Sequence, residues 1–108
     1  MIDVEAVRRR LEERGLERTY LVKKSFDCSI ILCKAQDLEF LACLYEGAHA
    51  KYARLVPTNL LDPSYWDCHT VNYVPNSLLV FASNDEELAE RIVEKLPRLK
   101  RVALHGKR

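Results

Sequence analysis

A change of hydrophobic period near residue 20 restricts this chain more than any other feature. Val4, Val7 and Leu11 recur at the spacing of one helical face. From Tyr20 the period becomes two: Tyr20, Val22, Lys24, Phe26, Cys28, Ile30 and Leu32 share one parity. No single element satisfies both periods, so the chain must pack at least one helix against strands. Asp3 can cap the first turn, and helix 1 is predicted to run to about Arg14. Gly15 supplies the left-handed cap and Leu16 the apolar residue that often follows it. Arg8, Arg9, Arg10 and Arg14 occupy the other faces, with Glu5 and Glu13 four residues from Arg9.

Lys23-Lys24-Ser25 reads as a turn between two strands, and Ala35-Gln36-Asp37 as a second turn leading to Leu38 through Tyr45. In that segment Ala and Leu favour helix, whereas the alternation of Leu38, Phe40, Ala42 and Leu44 favours a strand. A strand is preferred, which gives an antiparallel meander. Beyond Gly47, Ala50 to Val56 fits a short helix or a fourth strand equally well. Pro57 through Asp67 carries two prolines and the pair Tyr65-Trp66, the signature of a long surface loop, and loops this long are often functional. After Thr70 to Val74 and a Pro75-Asn76-Ser77 turn, Leu78 to Ala82 reads as a buried strand. A helix follows, capped by Ser83 or Asn84 with Glu86 or Glu87 as the reciprocal partner, and Leu88, Ile92, Val93 and Leu96 form its apolar stripe. Pro97 ends that helix, and Arg101 to His105 fits either a returning parallel strand or a second short helix. The expected class is α+β: an N-terminal helix, an antiparallel β-meander sheet, and a C-terminal helix packed on the sheet, followed by a final strand or short helix. A chain of 108 residues makes this one domain, 1–108.

Several function classes lack their motifs. Gly15, Gly47 and Gly106 lie too far apart for a phosphate-binding loop or a dinucleotide fingerprint. No nucleophile elbow surrounds Ser25, Ser29, Ser64, Ser77 or Ser83. The expectation is therefore a protein that is not an enzyme and takes no cofactor. The apolar runs fall short of the ~20 residues a spanning helix needs, and the start Met1-Ile2-Asp3 lacks a secretory pattern, so a cytoplasmic location away from membranes is expected. Cys28, Cys33, Cys43 and Cys68, with His49, His69 and His105, are numerous enough for zinc but poorly spaced. Cys28 and Cys33, five apart on a strand, face opposite sides. Buried reduced cysteines are the preferred reading, with no metal; a disulfide, most naturally Cys28 with Cys43, is the alternative. Asp27, Glu39, Glu46, Asp62 and Asp67 could include the acidic pair of a metal-dependent nuclease, although nothing in their spacing fixes one.

Net charge is +1, so bulk charge does not announce a nucleic-acid partner. Its distribution says more: Lys95, Arg98, Lys100, Arg101, Lys107 and Arg108 form a C-terminal run without acids. More suggestive are cations interleaved with aromatics: Lys23, Lys24 and Phe26, then Lys34, then Lys51, Tyr52 and Arg54, then Tyr65 and Trp66, then Tyr73. Single-stranded nucleic acid needs this combination, cations for phosphates and flat rings for unpaired bases at ~1–3 kcal/mol per base. Many Glu, Lys, Arg and Leu residues beside three Gly and one Met match the tendency of heat-adapted proteins.

Helix 1, a meander with basic and aromatic residues, and a basic C-terminal helical region together resemble the ThermoDBP-related single-stranded DNA-binding proteins of hyperthermophilic archaea. The resemblance covers most of the chain and lies in layout and composition. It implies a sheet whose apolar cleft is flanked by cations, and self-association through the C-terminal helices as a homo-oligomer. On that pattern Lys23, Lys24, Lys34, Lys51 and Arg54 meet phosphates, and Phe26, Tyr52, Tyr65 and Trp66 meet bases. The alternatives are an RNA-binding protein, a protein-interaction module with no nucleic-acid role, and the nuclease.

Overall fold

A computed structural model describes residues 2–26 and 28–105. The first helix, α1 (Val4–Glu13), begins where the Asp3 side chain accepts a hydrogen bond from the Ala6 N–H, and it buries Val4, Val7 and Leu11. Gly15 follows with φ of +110°, a conformation a side chain would strain. The chain then enters five strands: β1 (Arg18–Lys24), β2 (Ser29–Ala35), β3 (Leu38–Glu46), β4 (Lys51–Pro57) and β5 (Leu78–Ala82). They pair antiparallel in sequence order, so every connection joins neighbours in the sheet. The segment that fitted helix or strand equally is β4. Its pairing with both β3 and β5 decides the matter, because the sheet would otherwise end at β3 with its apolar face open.

The alternation read from Tyr20 to Leu32 does not run unbroken. A β-bulge lies between Leu21 and Lys23, after which Lys23 pairs with Ile30 and Lys24 with Ser29. An extra residue reverses the facing of all that follow it on the strand. Lys23 therefore shares a face with Tyr20 and Ile30, and Lys24 turns to the other side.

One face of the sheet is covered by α1, α3 (Asp85–Glu94) and α4 (Leu96–His105). Ile31, Cys33, Phe40, Ala42, Leu44, Ala53, Leu55 and Val80 meet Val7, Leu11, Leu88, Ile92 and Leu99 there. Asn84 caps α3 by accepting from the Glu87 N–H, and Glu87 accepts in return from the Ser83 N–H. Arg101 to His105 is helical and not a returning strand. Pro97 sits in the first turn of α4, where its missing N–H costs nothing, so it starts a second helix after the break at Lys95.

The opposite face is covered by the long connection 58–77, here called the strap. It contains two single 3₁₀ turns, Thr58–Leu60 and Pro63–Tyr65, and the short helix α2 (Cys68–Val71). Ile30, Leu41, Cys43 and Val56 from the sheet bury against Leu60, Leu61, Trp66, Val71 and Val74 from the strap. The predicted surface loop is thus the lid of a second, smaller core. Among the described residues no helix is long and apolar enough to cross a membrane.

Candidate nucleic-acid interface

The strap covers the middle of its face and leaves the β5 side open. Tyr45 on β3, Tyr52 on β4 and Phe81 on β5 are aligned by register, Tyr45 opposite Tyr52 and Tyr52 opposite Phe81. The Tyr45 and Tyr52 rings stack with centroids 5.2 Å apart and planes 13° from parallel. Tyr52 and Phe81 are tilted, 6.2 Å apart. Phe81 is 62% exposed and Leu79, beside it on the same face, 42% exposed. Large apolar groups standing outward from a strand need a reason, since burial of a Phe side chain is worth about 1.5–3 kcal/mol.

Local geometry makes this row possible. Glu46 pairs with Lys51, and the Gly47 N–H donates to the Ala50 carbonyl at 2.8 Å, closing the β3–β4 turn. A Cβ on Gly47 would collide with the Tyr52 ring. The glycine gives Tyr52 room to lie over the turn and reach Tyr45.

Cations border the row on two sides. Arg54 lies one register step along, opposite Cys43 on β3 and Leu79 on β5. Its Nη1 donates to Ser77 Oγ at 3.0 Å, while its buried Nε lacks a hydrogen-bond acceptor among the described residues. No carboxylate pairs with it among the described residues. At the other side Lys24, Ser25, Phe26, Cys28 and Tyr45 line one groove, which joins the β1–β2 hairpin to the aromatic row. Phe26 at the hairpin tip is fully exposed, and Lys23 and Lys24 are exposed.

The structure thus sets Tyr52 and Arg54 in or beside the row, and it places Lys23 and Phe26 at the β1–β2 hairpin, across the strap-covered Ile30 and Cys43, with Lys24 turned to the other side of the sheet; the remaining expected contacts lie elsewhere. Lys51 is on the helix face, held by Asp85 at 3.1 Å at the start of α3 and by Glu46 at 3.9 Å. Lys34 is at the far end of β2, paired in register with Arg18 and Glu39. Trp66 packs into the second core, and its Nε1–H donates to the Leu61 carbonyl at 2.9 Å. The loop position that favoured Trp66 as a base contact is what lets it reach back under the strap. Tyr65 is exposed in the strap's second 3₁₀ turn. Tyr45 and Phe81 escaped the sequence reading because each ends a run that looks like core. Their signal was present in part: Tyr45 and Tyr52 flank the Gly47 turn symmetrically.

The cysteines divide between the two cores. Cys33 is buried on the helix face, where desolvation pushes its thiol well above the ordinary range. Cys28 and Cys68 form a disulfide that ties β2 to the strap, in place of the expected reduced pair or the Cys28–Cys43 bond. Cys43 pairs in register with Ile30, so it is only diagonal to Cys28 on the sheet, whereas the strap brings Cys68 down onto it. Cys43 remains a free thiol; burial pushes it up to about 12, with the Arg54 charge acting the other way. Two strap carboxylates are held below the usual range. Asp62 accepts from the Ser64 N–H and hydroxyl, and Asp67 accepts from the Thr70 N–H with Lys23 and His69 nearby. Comparison with known protein-family models, curated proteins and solved structures finds no match to this chain.

Proposed function

We propose that this chain is a non-catalytic binder of single-stranded nucleic acid, DNA in the first place, with little sequence preference. The observation that carries the reading is the Tyr45–Tyr52–Phe81 row on the face opposite the helices. Three rings on adjacent strands offer successive π-surfaces to unpaired bases, and stacking is indifferent to base identity. Arg54, unpaired with any described carboxylate, and Lys23 and Lys24 at the hairpin supply charge for the phosphates between them. A duplex, whose bases are already stacked, gains nothing from such a row. RNA would stack as well, since only contacts to the 2′-hydroxyl separate the two sugars. The resemblance to the ThermoDBP-related proteins belongs to this proposal through layout.

The proposal includes self-association through α4, on which Leu104 is 71% exposed. Sedimentation equilibrium tests it: a concentration-dependent mass lost in Leu104→Glu is expected, and a strict monomer removes this part. A protein-interaction role without nucleic acid is the second reading, favoured by the outer edge of β5, which has no strand partner among the described residues. Fluorescence anisotropy of labelled oligothymidine, duplex DNA and oligouridine at low salt separates the two. Salt-sensitive binding of the single strands over the duplex supports the first reading. No binding of any of them at micromolar protein removes it.

A further inference from the structure

The Sγ atoms of Cys28, Cys43 and Cys68 all lie within 4.8 Å of one another. Two of them share the disulfide, and the third is a free thiol in the same pocket. Three sulfurs around one tetrahedral zinc stand roughly 3.8 Å apart, as Zn–S bonds of about 2.3 Å require. Cys43 Sγ thus stands within about 1 Å of ligand spacing from the other two, and reduction need only let the bonded Cys28 and Cys68 sulfurs part from about 2.0 Å to that spacing. We propose that the reduced protein binds one thiophilic divalent cation of the zinc class at Cys28, Cys43 and Cys68, and that this ion replaces the disulfide as the clamp between strap and sheet.

The surroundings fit that ion. Ile30, Leu41, Val56, Val71 and Trp66 form an apolar wall around the sulfurs. Ser25 Oγ lies 3.2 Å from Cys68 Sγ, so a hydroxyl is at hand beside the three sulfurs. Three thiolates around a divalent cation carry a net negative charge. Arg54, directly opposite Cys43 in the β3–β4 register, answers it with a guanidinium whose buried Nε lacks an acceptor among the described residues. The chemistry balances in two steps. A dithiol reductant delivers two electrons and two protons to the Cys28–Cys68 bond, giving two thiols and an oxidised dithiol. The cation then displaces three thiol protons to solvent as three metal–sulfur bonds form. The strap carries the same anchor in both states, a disulfide under oxidising conditions and a metal under reducing ones.

The test uses the full chain, reduced and kept anaerobic, titrated with Cd²⁺ and then with competing Zn²⁺. One ion per chain and a thiolate charge-transfer band are expected, unchanged in Cys33→Ala and weakened at least 100-fold in Cys43→Ala. The oxidised protein should bind none, since two of the three ligands are consumed. Should Cys43→Ala fail to fold by circular dichroism, Cys43→Ser carries the same expectation. The proposal is overturned if the reduced protein gives no charge-transfer band, if the Cys43 variants bind as tightly as the parent, or if the oxidised protein binds equally well.

Discussion

Tyr45 and Tyr52 stack across the β3–β4 ladder at 5.2 Å, and the residue that permits it is Gly47 in the turn between them. In Gly47→Ala the new Cβ must displace the Tyr52 ring, while the backbone turn can persist because φ at this glycine is not positive. We expect single-strand affinity to fall about 5-fold or more, equivalent to about 1 kcal/mol of lost stacking, with the circular-dichroism spectrum retained. Equal affinity for the variant would separate Tyr52 from the binding surface.

Trp66 should behave in the opposite way. Its ring is half-buried in the second core and its N–H is used by Leu61, so Trp66→Ala is expected to cost about 2–3 kcal/mol in urea unfolding. Nucleic-acid affinity of the folded fraction should stay within about twofold. A variant of full stability and tenfold weaker binding would reverse the two roles.

How far these roles could be read in the sequence depends on the element. The α1 stripe and the Gly15 stop were legible because both are local: one face of period 3.6 and one positive φ. The first strands were legible in outline, but the bulge at Val22 was not. It is a register event between β1 and β2 and leaves no mark in one strand's alternation. Lys51 and Tyr52 are adjacent in sequence and both are expected at the nucleic acid, yet strand geometry sends them to opposite faces, Lys51 to Asp85 and Tyr52 to Tyr45. Trp66 reads as a surface residue because a proline-rich segment looks solvated until a second apolar sheet face is found beneath it. That face exists only once β4 is a strand, and the Ala50 to Val56 segment did not decide between strand and helix.

The Cys28–Cys68 bond closes a loop with a sequence separation of 40 residues. Chain entropy for a loop of that size predicts a contribution of about 4 kcal/mol. Cys68→Ala should lose about 2–4 kcal/mol relative to the oxidised parent, and reductant should then have little further effect on its unfolding midpoint. A midpoint equal to that of the parent would mean that the bond does not hold the strap.

Asp62 and Asp67 tie the strap's dependence on acid to two hydrogen-bonded turns. Both carboxyls are held below their ordinary value near 3.8, Asp62 by the Ser64 N–H and Asp67 by the Thr70 N–H. A depressed folded-state value means stability that is present above the unfolded value and lost as pH falls through the folded one. Trp66 emission should therefore be flat from pH 7 to about 5 and change below about pH 4. Asp67→Asn, which keeps a capping oxygen but removes the charge, should flatten part of that acid transition. An emission change centred near pH 6 would point to a histidine instead.

The salt dependence of single-strand binding tests the aromatic and basic face most directly. If Lys23, Lys24 and Arg54 each meet a phosphate, log K for oligothymidine should fall with log salt at a slope of about −2. Arg54→Gln should make that slope shallower by about 0.7, whereas Phe81→Ala should lower affinity about 5- to 150-fold and leave the slope unchanged. Oligothymidine binding that ignores salt, or that survives Phe81→Ala and Arg54→Gln together at full strength, would contradict a nucleic-acid role for this face.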